Sequence, residues 1–269
     1  MLLAIDVGNT NMGFTLFQGE KSVVSFRIVT DVKRTSDEIA MAIYEHLRRI
    51  GVSIEGVCDL IVASVVPPAM CSLSGAISRY FGREPIVVGV DVDPGLSYDV
   101  ACGERLGADR AVACVAAIEK YGAPLVVLDF GTATTVDVID HRGRYLGGCI
   151  AAGIRTAADA LSADAALLPH IELRRPDRVI GTSTEMQSQV GAVSWHIGAV
   201  EYLVRETKRE MGGGEIRVVA TGGLANVVAE CEGVIDILDP SLIPDGLRMI
   251  YDRNYGRNTP RLNTCNSNI

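Results

Sequence analysis

The strongest constraint on the fold is a pattern that the sequence repeats. Apolar residues lead into Asp6-Val7-Gly8-Asn9-Thr10, and apolar residues again lead into Asp129-Phe130-Gly131-Thr132, 123 positions later. A second apolar segment and a glycine-containing turn follow each Asp-x-Gly turn at matching distances. This match predicts an internal duplication, in which each half opens on a strand, an Asp-x-Gly turn and a second strand. The alternative is that two common hairpins arose independently.

Predicted strands and helices alternate through both halves, which is typical of an α/β protein. Thr35-x-x-Glu38 is a capping box before a helix, and a longer helix is predicted from about residue 185 to residue 210. We expect an N-terminal lobe over residues 1–121 and a C-terminal lobe over residues 122–256, each with a mixed five-stranded sheet. The polar, asparagine-rich tail, residues 257–269, is predicted to be disordered.

Charge and composition argue against several classes of protein. The chain has 33 acidic and 25 basic residues, for a net charge of -8, so it lacks the basic surface that nucleic-acid binding needs. The seven cysteines include no C-x-x-C pair and the four histidines are scattered, which indicates reduced thiols in the cytoplasm rather than a zinc site. Pro67-Pro68 interrupts the uncharged segment 60–77, so we expect no membrane span.

The two Asp-x-Gly turns have the residues of a phosphate-binding site. Glycine lets backbone N–H groups approach phosphate closely, and threonine hydroxyls add neutral donors. The carboxylates of Asp6 and Asp129 would repel phosphate, so a cation such as Mg²⁺, which keeps several waters, is expected between them. Thr221-Gly222-Gly223 follows a third strand and could admit the adenosine of ATP. The alternative is a pair of tight hairpins whose aspartates cap their own backbone.

Gly107-Ala108-Asp109-Arg110 precedes an alanine-rich helix. Asp109 is suited either to an N-cap or to a general base that accepts the proton of an attacking hydroxyl, and Arg110 could steer an anionic substrate. Spacing alone does not separate these roles. Trp195 and His196 lie within the long predicted helix and are interpreted as core or interface residues rather than catalytic ones.

Together these motifs resemble the type III pantothenate kinases of bacteria, members of the acetate kinase/sugar kinase/Hsp70/actin superfamily. The resemblance is colinear from Met1 to about Asn254. Further matching segments are Ser64-Val65-Val66-Pro67, Gly147-Gly148-x-Ile150, Asp239-Pro240-x-Leu242 and Gly246-Leu247.

The resemblance implies two ribonuclease-H-like lobes, the actin-like ATPase fold, with ATP in the cleft between them. It also implies ATP-dependent phosphorylation of the primary hydroxyl of pantothenate to 4'-phosphopantothenate, the first step of coenzyme A biosynthesis. Two alternatives stay open. One is a catalytically weak regulatory relative, like the Bvg accessory factor, and the other is a different phosphotransferase of the superfamily.

The resemblance also implies roles for individual residues. Asp109 would be the catalytic base, with Gly107, Ala108, Arg110 and Thr184 also binding pantothenate. The residues expected to bind ATP are Asp6, Val7, Gly8, Asn9, Thr10, Thr132, Thr134, Thr221, Gly222 and Gly223. Asp6 would act on Mg²⁺ through water, and Asp129 would help bind a monovalent cation, K⁺ or NH₄⁺. The protein would be a homodimer whose partner subunit lines part of the pantothenate site.

Two positions and one segment depart from the pattern of that family. Ala152 stands where proline is usual, and Val100 stands where tyrosine is common, with Tyr98 nearby. The segment Thr184-Glu185-Met186-Gln187-Ser188 is about one residue shorter than usual.

Overall fold

The computed structural model describes residues 1–99, 106–228 and 233–256, so the predicted tail, residues 257–269, lies outside the described residues. These residues divide into two units. Unit 1 contains residues 1–95, 106–116 and 243–256, and unit 2 contains residues 96–99, 117–228 and 233–242. Each unit is therefore built from separate stretches of chain, whereas the sequence suggested two contiguous lobes, 1–121 and 122–256.

The described residues form eleven strands and seven α-helices. The strands are β1 (Leu2–Val7), β2 (Asn11–Gln18), β3 (Lys21–Val29), β4 (Asp59–Ser64), β5 (Ile86–Val87), β6 (Ser97–Tyr98), β7 (Leu125–Phe130), β8 (Ala133–Ile139), β9 (Arg144–Ala152), β10 (Arg217–Thr221) and β11 (Ile237–Leu238). The helices are α1 (Ser36–Arg49), α2 (Pro67–Phe81), α3 (Ala108–Tyr121), α4 (Ile154–Asp164), α5 (Thr184–Glu210), α6 (Ala225–Val228) and α7 (Leu242–Tyr255).

The sheet of unit 1 has the strand order β3-β2-β1-β4-β5. The first three strands are antiparallel, because tight turns join them, while β4 and β5 run parallel to β1. The central strands β1 and β4 are almost entirely buried. Because β1 and β4 are parallel, their carboxyl ends lie at the same edge of the sheet. Open α/β sheets bind ligands at that edge.

The capping box predicted for α1 is confirmed. The hydroxyl of Thr35 accepts a hydrogen bond from the Glu38 N–H at 3.3 Å, and the Glu38 carboxylate accepts one from the Thr35 N–H at 2.7 Å. Ile39, Ile43 and Leu47 repeat at helical spacing and form the buried face of the helix.

The sheet of unit 2 has the order β11-β10-β7-β8-β9-β6. Without β6 and read in reverse, this order is β9-β8-β7-β10-β11, which repeats the order and the directions of β3-β2-β1-β4-β5 in unit 1. The repeat confirms the duplication and the ribonuclease-H-like topology. The strands β7 and β9 have the bounds of β1 and β3 displaced by 123 positions.

The prediction of five strands is wrong for unit 2, because β6 adds a sixth strand parallel to β9. A strand of two residues is too short to show the alternation by which strands are recognised in a sequence. It is held by the Asp99 N–H, which donates to the Tyr145 carbonyl at 2.9 Å, and by an ion pair of 3.2 Å between Asp99 and Arg144.

The last turn of α3, in unit 2, is fixed by the buried carboxylate of Asp239. That carboxylate accepts hydrogen bonds from Lys120 Nζ at 2.5 Å and from the Tyr121 hydroxyl at 2.7 Å. Burial alone would raise the pKa of Asp239, but these donors outweigh burial and hold its pKa below the usual range. Among the described residues no helix is both long and apolar enough to cross a membrane.

The capping box of α1 gives a direct test of local stability. We expect Thr35→Ala to lower the free energy of unfolding by about 1 kcal/mol, because the Glu38 N–H loses its acceptor. Thr35→Ser retains the hydroxyl and should stay close to wild type in urea denaturation. Equal losses in both variants would mean that the hydroxyl does not stabilise the helix.

Candidate active site

In unit 1, the first Asp-x-Gly turn lies at the carboxyl end of β1. Asp6 is paired with Gly13 of β2 and with Ala63 of β4, so its carboxylate lies at the edge where both parallel strands end. The Gly8 N–H donates to the Asn11 carbonyl at 3.1 Å and closes the turn.

The end of β3 holds this turn in place. The Thr30 hydroxyl donates to the Gly8 carbonyl at 2.7 Å, and the Thr30 N–H donates to the Thr10 carbonyl at 2.9 Å. Asn9 and Thr10 are exposed, whereas Val7 is fully buried. Asn9 and Thr10 can therefore meet a ligand with their side chains, and Val7 only through its backbone.

Unit 1 brings the segment that contains Asp109 to the same sheet edge. The Val65 N–H, directly after β4, donates to the Val7 carbonyl at 3.1 Å. A methyl group added to Gly107 would come within 3.4 Å of Val65 Cγ1 and 2.7 Å of Asp109 Oδ1. Val65 therefore lies between the first Asp-x-Gly turn and the predicted pantothenate loop.

The interpretation of Asp109 as an N-cap does not hold. Helix α3 begins at Ala108, and the Ala111 N–H donates to the Gly107 carbonyl at 3.0 Å. Asp109 thus lies in the first turn, where its carboxylate accepts a hydrogen bond from the Arg110 N–H at 2.7 Å. A negative charge is stabilised there by the helix dipole, and Asp109 and Arg110 are both partly exposed.

In unit 2, Asp129 occupies the position that Asp6 has in unit 1. It pairs with Thr135 of β8 and with Thr221 of β10, at the carboxyl end of β7. A methyl group added to Gly131 would lie 3.7 Å from its Oδ1. The Gly131 N–H donates to the Ala133 carbonyl at 3.0 Å, which makes this turn tighter than its counterpart.

The predicted glycine turn after β10 contacts this second hairpin directly. Gly222 has a φ of +99°, and a methyl group there would collide with the Asp129 carboxylate and approach the Phe130 nitrogen to 2.5 Å. The Leu224 N–H donates to the Phe130 carbonyl at 3.1 Å. The structure therefore joins Thr221-Gly222-Gly223 to the hairpin of residues 129–135, and only glycine fits at position 222.

The start of α4 supports the hairpin from another side. The carbonyl of Thr132 accepts hydrogen bonds from the Gly153 N–H at 3.0 Å and from the Thr156 hydroxyl at 2.7 Å. Ala152, the residue that replaces proline, is the last residue of β9 and pairs with Ala133 of β8. Thr132 itself is exposed.

Thr134 and His196 form a contact that sequence reasoning did not predict. Thr134 is only 3% exposed, and its hydroxyl lies 2.9 Å from His196 Nε2 on α5. Burial lowers the pKa of His196, which favours the neutral imidazole. Helical spacing placed His196 inside α5 but carries no information on which strand its ring meets.

Thr184, the predicted pantothenate contact of unit 2, is the first residue of α5 and is exposed. Ser183 caps the helix by accepting a hydrogen bond from the Met186 N–H at 3.2 Å. The shortened segment 184–188 thus forms the first turn of α5. Val100 lies outside the described residues.

No group of three His, Cys, Asp or Glu side chains that could hold a metal ion occurs within residues 1–99, 106–228 and 233–256. Each hairpin instead supplies one carboxylate and one exposed threonine: Asp6 with Thr10, and Asp129 with Thr132. That donor set suits a hydrated Mg²⁺ bound mainly through phosphate oxygens, because Mg²⁺ commonly retains waters and takes one or two carboxylates.

Comparison with known proteins decides between the alternatives left open by the sequence. The family model described as type III pantothenate kinase matches residues 2–206. A type III pantothenate kinase of Agathobacter rectalis is 42% identical over 251 residues, which cover 93% of this chain and 96% of that protein. The chain belongs to the type III pantothenate kinase family. The prediction of a kinase that acts on pantothenate is confirmed, and the regulatory alternative is not favoured.

Solved structures agree with the fold. A Baf family protein of Campylobacter jejuni matches with a TM-score of 0.59 at 20% identity, over 94% of this chain and 98% of that one. MreB5 of Spiroplasma citri, solved with ADP, matches with a TM-score of 0.52 at 12% identity, over 96% and 97%. At these identities the likeness shows the actin-like fold of this kinase and nothing further.

Gly222 provides a test of the second hairpin. We expect Gly222→Ala to destabilise the kinase by about 2–4 kcal/mol, since it combines positive-φ strain with a steric collision at Asp129 and Phe130. ATP affinity should fall at least about tenfold, which corresponds to about 1.4 kcal/mol. Urea denaturation and calorimetry with ATP measure the two effects.

Gly143→Ala is the matched control. Gly143 also has a positive φ, +75°, but nothing lies within 4 Å of an added methyl group. It should therefore show only the strain, about 1 kcal/mol, and bind ATP normally. Identical behaviour of the two variants would contradict the role assigned to Gly222.

Proposed function

We propose that this kinase transfers the γ-phosphoryl group of ATP to the primary hydroxyl of pantothenate, the first step of coenzyme A biosynthesis. A bond forms between the hydroxyl oxygen and the γ-phosphorus, the bond to the β-phosphate oxygen breaks, and the hydroxyl proton passes to a carboxylate. The observation that carries the proposal is the pair of acidic hairpins at equivalent sheet edges, together with membership of the family.

Asp109 is the proposed catalytic base. Asp109 is partly exposed, and a methyl group added to Gly107 would lie 3.4 Å from Val65 Cγ1, whose N–H donates to the Val7 carbonyl of the first hairpin in unit 1. A carboxylate that accepts the proton contributes about 10²- to 10⁴-fold to such a reaction. Gly107, Ala108 and Arg110 would bind pantothenate, with the Arg110 guanidinium facing the substrate carboxylate.

The first hairpin would bind ATP phosphates through the backbone N–H groups and the exposed side chains of Asn9 and Thr10, while Gly8, whose own N–H is bonded to the Asn11 carbonyl, would let the phosphate approach closely and Asp6 and Val7 would shape the turn. In the second hairpin, exposed Thr132 would donate to phosphate, while buried Thr134 would shape the turn. The nucleoside would pack against the backbone of Thr221, Gly222 and Gly223, where the two glycines leave room for it.

Two cations are part of the proposal. Asp6 would hold Mg²⁺ through water, and Asp129 would contribute to a site for a monovalent cation, K⁺ or NH₄⁺. The cations neutralise the charge of the triphosphate, so that two carboxylates can lie near it without repulsion.

A homodimer is also part of the proposal. Thr184 would contact pantothenate from a site that the partner subunit helps to line. Three large apolar side chains on α4 and α5 are exposed in the single chain: Leu161, Trp195 and Tyr202. Exposed apolar groups of this kind support the proposal that a partner subunit covers this surface. The cytoplasmic location expected from the cysteines stays a prediction.

Asp109→Asn tests the proposed base. We expect the variant to fold and to bind ATP, but to lose at least about 10²-fold in turnover with pantothenate, Mg²⁺ and K⁺, because the amide cannot accept the hydroxyl proton. Steady-state turnover and calorimetry with ATP give both quantities.

Asp37→Asn is the matched control, because Asp37 is the second residue of α1 just as Asp109 is the second residue of α3. Both variants lose a first-turn carboxylate at the positive end of a helix dipole, although Asp37 also accepts hydrogen bonds from Arg79 and Tyr80. Asp37→Asn should retain wild-type turnover. An Asp109→Asn enzyme with wild-type turnover would leave Asp109 a structural residue.

A further inference from the structure

We propose that His196 is a positioning residue for phosphoryl transfer. Its imidazole fixes the hydroxyl of Thr134 and thereby holds the second hairpin, residues 129–135, in the conformation that binds ATP. The inference rests on the proposed function, because that function assigns the hairpin to the phosphates of ATP.

The contacts of His196 reach both strands at the end of the hairpin. Its Nε2 lies 2.9 Å from Thr134 Oγ1 on β8, and its ring meets the Phe130 ring of β7 edge-on with centroids 6.2 Å apart. Phe130 and Thr134 are the last cross-strand pair before the turn. A side chain that touches both members of this pair fixes how the two strands enter the turn.

The other supports of the hairpin act elsewhere. Helix α4 binds the carbonyl of Thr132 within the turn, and Gly222 covers the carboxylate of Asp129 on β7. His196, on α5, supports the hairpin at the start of β8. Loss of its hydrogen bond should therefore loosen the turn without removing a group that touches phosphate.

The surroundings of His196 keep its imidazole neutral. The ring forms part of the wall of a cavity of about 150 Å³ between α4 and α5. The other described residues that line it come from α4, α5 and the segment between these helices, and all of them are uncharged. From β7 and β8 the ring meets Phe130 and Thr134, also uncharged. Burial in this setting lowers the pKa of His196.

The sign of the pH dependence follows from this. At neutral pH, Nε2 of the neutral imidazole can accept a hydrogen bond from the Thr134 hydroxyl. As the pH falls through the lowered pKa of His196, Nε2 becomes a donor, and the hydroxyl must rotate its proton away so that its oxygen accepts. The protonated ring also buries a charge among uncharged groups, which destabilises the contact. Because the pKa of His196 lies below 6.5, the ordinary pKa of histidine, ATP binding should weaken only at pH values below that.

The position of His196 on α5 also suggests why a kinase would use it. The same helix begins with Thr184, the proposed pantothenate contact, twelve residues earlier. At 1.5 Å per residue the two positions are about 18 Å apart along one rigid helix. One element thus carries both a contact to the acceptor and a support of the phosphate hairpin.

A double-mutant cycle tests the inference. His196→Phe retains a ring but no hydrogen bond, and Thr134→Val removes the hydroxyl at nearly constant volume. Each should raise the KM for ATP about three- to tenfold, the effect of one lost hydrogen bond, with a smaller change in kcat. The double variant should be no worse than either single variant, because both remove the same interaction.

His196→Gln is the conservative rescue, since its amide reaches close to the position of Nε2 and does not titrate. It should keep the KM for ATP within about twofold of wild type and should lose the rise in KM at low pH. His46→Phe is the control: His46 lies on α1 in unit 1, where its Nδ1 contacts the Ala42 carbonyl, so this variant should leave the KM for ATP unchanged.

Fully additive effects, or unchanged KM values in an enzyme that phosphorylates pantothenate, would overturn the inference. If wild-type protein does not phosphorylate pantothenate, the proposed function fails instead, and the same cycle measured as ATP dissociation constants still decides the role of His196. If His196→Phe does not fold, the ring ¹⁵N shifts of His196 in Thr134→Val decide it. A changed tautomer balance or pKa supports the contact, and unchanged shifts contradict it.

Discussion

The site depends on the central strand of each sheet, which ends in a carboxylate flanked by one antiparallel and one parallel neighbour. Asp6 lies between Gly13 and Ala63, and Asp129 lies between Thr135 and Thr221. The hairpin turn that follows each aspartate reverses the chain direction at the carboxyl edge of the sheet. Backbone N–H groups and a carboxylate are thereby presented at one place, which is the arrangement that a hydrated cation and a phosphate require.

The two copies have been adapted differently. In unit 1 the turn is held by Thr30 from the neighbouring strand, and the segment with Asp109 lies next to it through Val65. In unit 2 the turn is one residue tighter and receives support from α4, from α5 through His196 and from Gly222. Unit 1 therefore has Asp109, the proposed base, close to its turn, while the turn of unit 2 is supported by more neighbouring elements.

The sequence was sufficient to predict the features that depend on local chemistry. The alternation of predicted strands with helices indicated the fold class, and the repeated Asp-x-Gly turns indicated the duplication. The capping box at Thr35 marked the start of a helix. Each of these features leaves a pattern within a few residues. The strand β6 and the contact between Thr134 and His196 were not predictable. Both depend on pairing between residues distant in the chain, and neither a two-residue strand nor a single histidine leaves a periodic signal.

Hydrogen–deuterium exchange with a non-hydrolysable ATP analogue and Mg²⁺ tests most directly whether both hairpins bind the triphosphate. The account predicts slower amide exchange at residues 8–10 and at residues 131–133 in the same complex, relative to the free protein. Protection of one hairpin alone, or of neither while the analogue is bound, would contradict it.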